Sequence, residues 1–139
     1  MGRILAIDYG TKRVGLAVTD PMQIIASPLD TVHSQDILDW IIRYDASEGI
    51  EEFVVGMPLD LYDNDTDSTP HVRGFVRKLR KQFPGKAIHL QDERYTSKMA
   101  VQSMIAAGVK KKDRRKKENI DKVSAAIILQ AYLEERDAL

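Results

Sequence analysis

Residues 6–20 read AIDYGTKRVGLAVTD, and this stretch decides the fold. Two apolar runs, Ile4 to Asp8 and Val14 to Thr19, flank the polar turn Tyr9–Gly10–Thr11–Lys12. That is the pattern of two strands joined as a hairpin. One carboxylate, Asp8, closes the first run. A charge at the end of a packed strand is costly unless it is paired or holds a cation. Asp8 is therefore either a hairpin turn residue or the first member of a site.

Beyond the hairpin, Ile24 to Val32 reads as a weaker third strand that Pro28 confines to an edge. Ser34 is placed to cap a helix with Ile37, Leu38, Ile41 and Ile42 along one face, and Gly49 to end it. Glu52 to Met57, EFVVGM, is a short apolar run expected as a buried parallel strand. An acidic loop, Leu59 to Ser68, leads to a helix opened by Thr69–Pro70. Its apolar stripe is Val72, Phe75, Val76, Leu79 and Phe83, and Arg73, Arg77, Lys78, Arg80 and Lys81 take the other face. Pro84–Gly85 stops it, and the strand Ala87 to Gln91 runs into Asp92–Glu93–Arg94. Thr96 or Ser97 caps a further helix ended by Gly108. The last helix, Ile120 to Arg136, is expected to be capped at Asn119, and its centre VSAAIIL is apolar nearly all round, as deep burial requires. The order β-β-β-α-β-α-β-α-α predicts an α/β fold. Its sheet is mixed and five-stranded, in order 3-2-1-4-5, with helices on both faces.

Residues 1–139 suit a single domain large enough for its own core. The chain has no cysteine, which excludes disulfides, thiolate zinc sites and cysteine nucleophiles. His33, His71 and His89 show no metal-ligand spacing. No apolar run approaches the roughly 20 residues that span a bilayer, and charge interrupts MGRILAIDYG too early for a signal peptide. A cytoplasmic protein with no membrane partner is expected. Trp40 and Tyr44 read as core packing rather than as an interface, so a monomer or weak homodimer is expected. The net charge is zero, but Lys110 to Lys117 reads KKKDRRKK, with seven basic residues and one acidic, which leaves −6 on the remainder. An acidic body with one basic segment can touch a polyanion locally.

Three acids from distant segments are placed to converge. Asp8 ends the first strand, and Asp92–Glu93 ends the last parallel one. Sites in open α/β sheets form beyond the carboxyl ends of the strands. Asp121 lies in the first turn of the final helix, where the dipole favours a carboxylate. Acids this close repel one another. Hard divalent cations, which take oxygen ligands, relieve that repulsion. Two such ions about 4 Å apart can activate a water and stabilise the leaving oxygen of a phosphodiester. Taken singly, Asp8 reads as a turn residue, Asp92–Glu93–Arg94 as a strand-end ion pair, Asp121 as a helix-start charge and the basic run as a solvated segment. Their order along one chain carries the argument.

Four motifs in order, AIDYGTKRVGLAVTD (from Ala6), VVGMPL (from Val54), DERYTS (from Asp92) and IDKVSAAIILQAYL (from Ile120), resemble the YqgF (RuvX) family. These are Holliday-junction-resolvase-like proteins also described as candidate pre-16S rRNA nucleases. The resemblance covers nearly the whole chain and implies a ribonuclease-H-like fold. It implies Asp8, Glu93 and Asp121 as catalytic acids and ligands of Mg²⁺ or Mn²⁺, two ions bound together with substrate. It selects Glu93 over Asp92. Lys12 and Arg13 would hold a phosphate, and Arg94 and Thr96 would brace Glu93 or touch the substrate backbone. Lys110, Lys111, Lys112, Arg114, Arg115, Lys116 and Lys117 would grip the nucleic acid without reading its sequence. The implied activity is hydrolysis of phosphodiesters in structured nucleic acid. The implied substrate is an rRNA precursor in ribosome biogenesis or branched DNA in recombination. One departure is clear. The segment after VVGMPL is DLYDNDTDS, with Asp60, Asp63, Asp65 and Asp67, where the family has an asparagine and an Asp-Gly pair. Added negative charge there opposes polyanion binding.

Three rival readings stand beside the nuclease. The Asp-x-Gly-Thr hairpin also serves as a phosphate loop in sugar kinases and actin-like proteins, which close two domains over ATP. A non-catalytic nucleic-acid-binding assembly factor could retain the acids as a relic. Asp8 and Asp121 could simply pair with Lys12 or Arg13.

Overall fold

The computed structural model describes residues 2–59, 62, 64–94 and 96–138. Strands β1 (Arg3–Tyr9), β2 (Arg13–Thr19) and β3 (Ala26–His33) form an antiparallel meander. Helix α1 (Ile37–Glu48) crosses to β4 (Ile50–Met57), and α2 (Thr69–Gln82) crosses to β5 (Ala87–Asp92). β4 pairs with β1, and β5 with β4, both in parallel. The sheet order is β3-β2-β1-β4-β5, the order expected. Helices α3 (Thr96–Ala106), α4 (Lys111–Arg114) and α5 (Lys117–Asp137) complete the chain. Among the described residues, no helix is long and apolar enough to cross a membrane.

The two-residue period of the strands sorts the core into two layers. Leu5, Ile7, Val14, Leu16, Phe53 and Val55 point to one face and pack with Ile41 of α1 and Val72, Phe75, Val76 and Leu79 of α2. Ile4, Ala6, Ala17 and Val54 point to the other and pack under Ala125, Ile128, Leu129 and Leu133 of α5. The second layer has small residues on the sheet, so α5 lies close to it. At Gly15 the approach is closest: a Cβ there would sit 2.0 Å from the Asp121 carbonyl oxygen. Only glycine admits the helix at this point.

The structure moves three expected helix boundaries. Ser34 does not cap α1; its hydroxyl donates to the Thr11 carbonyl, tying the β1–β2 turn to the 3₁₀ turn Ser34–Asp36 that precedes the helix. His33 caps that turn instead, Nδ1 accepting from the Gln35 N–H. The basic segment contains the helical turn α4 rather than being loop throughout. Asn119 does not cap α5, which begins at Lys117; its amide donates to the Asp113 carbonyl and closes the α4–α5 corner. Trp40 and Tyr44 stack at 5.0 Å between centroids and pack on the first core layer. Asp60 and Asp63 of the acidic loop lie outside the described residues. Asp65 pairs with Arg73 of α2, which offsets part of that loop's charge.

Gly15→Ala is expected to cost about 3 kcal/mol, a fall in Tm of roughly 10 °C, because backbone rather than a side-chain end blocks the methyl. Gly85→Ala, with nothing within 4 Å of its Cβ position, serves as the control and should melt near the wild type. Thermal unfolding of both variants by circular dichroism measures the difference.

Candidate active site

Acids from β1, from the end of β5 and from α5 approach one row of the sheet. Asp8 of β1 lies opposite Gly15 of β2 in the antiparallel register. On the other side Ile7 pairs with Val55, so Gly56 of β4 is the next neighbour. Asp8 shares the face of Ile4 and Ala6, under α5. It thus stands between two glycines. The space over Gly15 is taken by the backbone of Asp121. That over Gly56 is taken by the carboxyl of Glu93, whose Oε2 would lie 2.7 Å from a Cβ there. The pleat also separates the two acids ending β5. Gln91 pairs with Gly56 and Asp92 with Met57, so Asp92 faces away and Glu93 returns to the side of Asp8. The Glu93 backbone is anchored by its N–H to the Met57 carbonyl, 3.3 Å, and by its carbonyl, which accepts from the Thr96 N–H and hydroxyl.

Glu93 and Asp8 are hydrogen-bonded through their side chains. Burial is the largest influence on both and raises both pKa values. For Glu93 the Asp8 charge and hydrogen bond and the Asp92 charge act in the same direction, and it is pushed up to about 10 from an ordinary 4.5. The Glu93 hydrogen bond partly offsets the rise at Asp8, and the Asp121 charge adds to it. Near neutrality the pair therefore keeps one proton. Two carboxylates in a poorly hydrated site cannot both ionise without added positive charge.

Asp121 flanks this pair rather than completing it. It is the fifth residue of α5, beyond the first turn expected for it, and its Oδ2 accepts from Arg13 Nε at 2.7 Å. One rival reading, pairing of Asp121 with Arg13, is thus present in the structure, while Asp8 pairs with Glu93. Among the described residues no three Asp, Glu or His side chains stand together as a ready cation-holding group. A cavity of about 380 Å³ opens beside them, lined by Asp8, Gly10, Lys12, Arg13, Lys117 and Asp121. Ser68, at the start of α2, completes its rim. Lys12 and Lys117 make no ion pair among the described residues and supply positive charge at its mouth.

The other expected contacts distribute unevenly. The Arg94 guanidinium is bound to Asp92, which it holds below the usual carboxylate range. Thr96 does brace Glu93, through the main chain. Of the basic segment only Lys117 lines the cavity. Lys116 pairs with Asp113 at 3.5 Å, and Arg114 donates to the Val109 carbonyl. Lys110, Lys111, Lys112 and Arg115 carry exposed charge along the α4 corner. Sequence reasoning passed over Gly15 and Gly56. The usable signal was a glycine inside each strand pattern, RVGLAVT and EFVVGM, which marks close approach by another group.

A mixed sheet in this order, with acids at the strand ends and a helix laid over them, defines a ribonuclease-H-like α/β protein. RuvC of Thermus thermophilus, solved in complex with a Holliday junction, superposes with a TM-score of 0.59 over 99% of this chain and 96% of that one, at 15% identity. The chain belongs to the RuvX family, described as Holliday junction resolvase, whose sequence profile matches residues 2–135. It is 55% identical over 133 residues to a "Putative pre-16S rRNA nuclease" of Amoebophilus asiaticus, covering 96% of this chain and 94% of that protein. A protein of the same name from Porphyromonas gingivalis is 47% identical over 137 residues, covering 99% of each. This membership places the chain among the nucleases, hydrolases of phosphodiester bonds.

Between pH 4.5 and about 10 folded Glu93 holds a proton that the unfolded chain has lost, so its contribution to stability falls as pH rises through that window. Glu93→Gln cannot ionise and keeps a donor for Asp8. In EDTA at pH 8 it is expected to raise Tm by about 4 °C, with the gain shrinking toward pH 5. A Tm at or below the wild-type value throughout would contradict the shared proton.

Proposed function

We propose that the chain is a divalent-metal-dependent endonuclease acting on structured RNA, and that its substrate is the 5′ region of a 16S rRNA precursor. The observation that carries this reading is the meeting of half-buried Asp8 and Glu93 at the strand ends, with Asp121 over the neighbouring Gly15. Their donors are all oxygen, the set suited to a hard cation. Asp8 and Glu93 would hold Mg²⁺ or Mn²⁺, with Asp121 joining as Arg13 turns from it to a substrate phosphate. When bound, such an ion supplies Lewis acidity and lowers the pKa of water.

The chain's own residues do the rest. Lys12, Arg13 and Lys117 line the cavity and seat a phosphodiester by charge. The Gly10–Thr11 turn lets the backbone approach it. Water adds to phosphorus and the P–O3′ bond breaks. The products are a 5′-phosphate and a 3′-hydroxyl, the latter taking up the proton the water gives away. The names of the relatives favour RNA over branched DNA. The description of the family favours the junction. A non-catalytic role would leave the protonated pair without a purpose. We place the activity in the cytoplasm.

The test sets structured 16S precursor RNA and a four-way DNA junction side by side, with Mg²⁺, Mn²⁺ or EDTA. Cleavage of the RNA is expected with either ion and not with EDTA. Asp8→Asn is expected to lower the rate at least about 100-fold. Undiminished cleavage by that variant would place the chemistry elsewhere, and preferential junction cleavage would reassign the substrate.

A further inference from the structure

Helix α2 carries a second cationic surface that the candidate active site does not use. Thr69–Gln82 contains five lysines and arginines and no acid. Its buried stripe faces the sheet, so Arg73, Arg77, Lys78, Arg80 and Lys81 all point outward and are exposed. Arg73 pairs with Asp65. The other four make no ion pair among the described residues, although the chain has as many acids as bases. Like charges three and four residues apart repel and weaken a helix. Arg77 stands three residues from Arg80 and four from Lys81, so the repulsion is built in. The helix also keeps Gly74 in its interior. A Cβ there would meet nothing nearer than Arg77 Nη2 at 3.7 Å, so packing does not demand glycine. Glycine inside a helix is destabilising relative to alanine. Gly74 lines a shallow trough of about 520 Å³ together with Arg77, Lys78, Arg80 and Lys81. On the opposite flank Arg73, Arg77 and Arg80 overhang a second trough, floored by Met57, Val76 and Leu90. Leu90 is 49% exposed on the edge strand β5.

The position of this surface names its occupant. Ser68, immediately before α2, lies on the rim of the Asp8 cavity. Met57, whose carbonyl receives the Glu93 N–H, lines the second trough. The helix thus starts beside the candidate active site, and its cations, Arg73 to Lys81, extend over about 12 Å of its length. It lies on the face of the sheet opposite α5 and the Lys110–Lys117 segment. We propose that the outer face of α2 binds the phosphate backbone of the substrate's flanking helix, a second anchor independent of the Lys110–Lys117 segment. This rests on the nuclease reading. A second copy of the chain would bring like charges together at this face.

Binding of a labelled RNA hairpin to the full chain is measured by fluorescence anisotropy in EDTA from 50 to 300 mM salt. Three variants are compared with the wild type: R77Q/R80Q/K81Q, K110Q/K111Q/K112Q and the combination, each checked for an unchanged Tm. Neutralising three phosphate contacts is expected to flatten the slope of log K against log salt by about 2 and to weaken binding roughly tenfold or more. The combined variant should lose both increments. A wild-type slope and affinity for the α2 variant would overturn the proposal. If that variant instead loses only the binding of polyglutamate, the face serves an acidic protein and the proposal also falls. Because cleavage is not measured, failure of the α2 surface is distinguishable from failure of the nuclease reading, which the Asp8→Asn assay decides.

Discussion

Everything at the strand ends depends on the close approach of α5 to β2 at Gly15. A helix backbone normally stands well above a sheet, held off by side chains. Here the sheet presents Ala6, Gly15, Ala17 and Gly56 to the helix, and the carbonyl of Asp121 descends into the space a Cβ would fill. That contact places Asp121 beside Asp8 in a chain where the two are far apart in sequence. The matching gap over Gly56 admits the Glu93 carboxyl from the other side. Two missing methyl groups therefore define where three acids lie.

The electrostatics follow from that packing. Bringing Glu93 against Asp8 in a half-buried setting disfavours ionisation of both, and the pair answers by keeping a proton. Arg13 takes the charge of Asp121. The arrangement is thus compensated in two ways at once, by a proton and by a guanidinium. Either compensator can be exchanged, the proton for a cation and the guanidinium contact for a phosphate. A site tuned to receive those partners is less stable alone than an apolar one would be, as is common where function opposes stability. The chain's neutrality conceals a matching division, with cations gathered on α2 and around α4 and acids at the strand ends and the loop before α2.

The hairpin, the parallel strand EFVVGM, the stripe of α2 and the buried helix VSAAIIL were legible because each carries a strong period or a strong composition. Sheet order followed from connection rules once those elements were named. Helix starts were less legible. Ser34 and Asn119 are good capping residues, but their side chains bond to the Thr11 and Asp113 carbonyls across a turn. Propensity describes a residue's local options and says nothing of a better partner brought in by tertiary contact. The partner of Arg94 was less legible for a related reason. Its neighbour Asp92 lies on the same side of the strand end and captures it, while the pleat turns Glu93 the other way.

From its residue order alone the chain determined its class of fold, its family motifs and the identity of the acids worth watching. These rest on periodicity, turn chemistry and short patterns, all local properties. The tertiary structure decided which acids touch. It joined Glu93 to Asp8, gave Asp121 to Arg13, and laid the cations of α2 along a helix that begins beside the Asp8 cavity. Such choices depend on distances between segments remote in sequence. Those distances are set by how closely one helix can settle on two glycines.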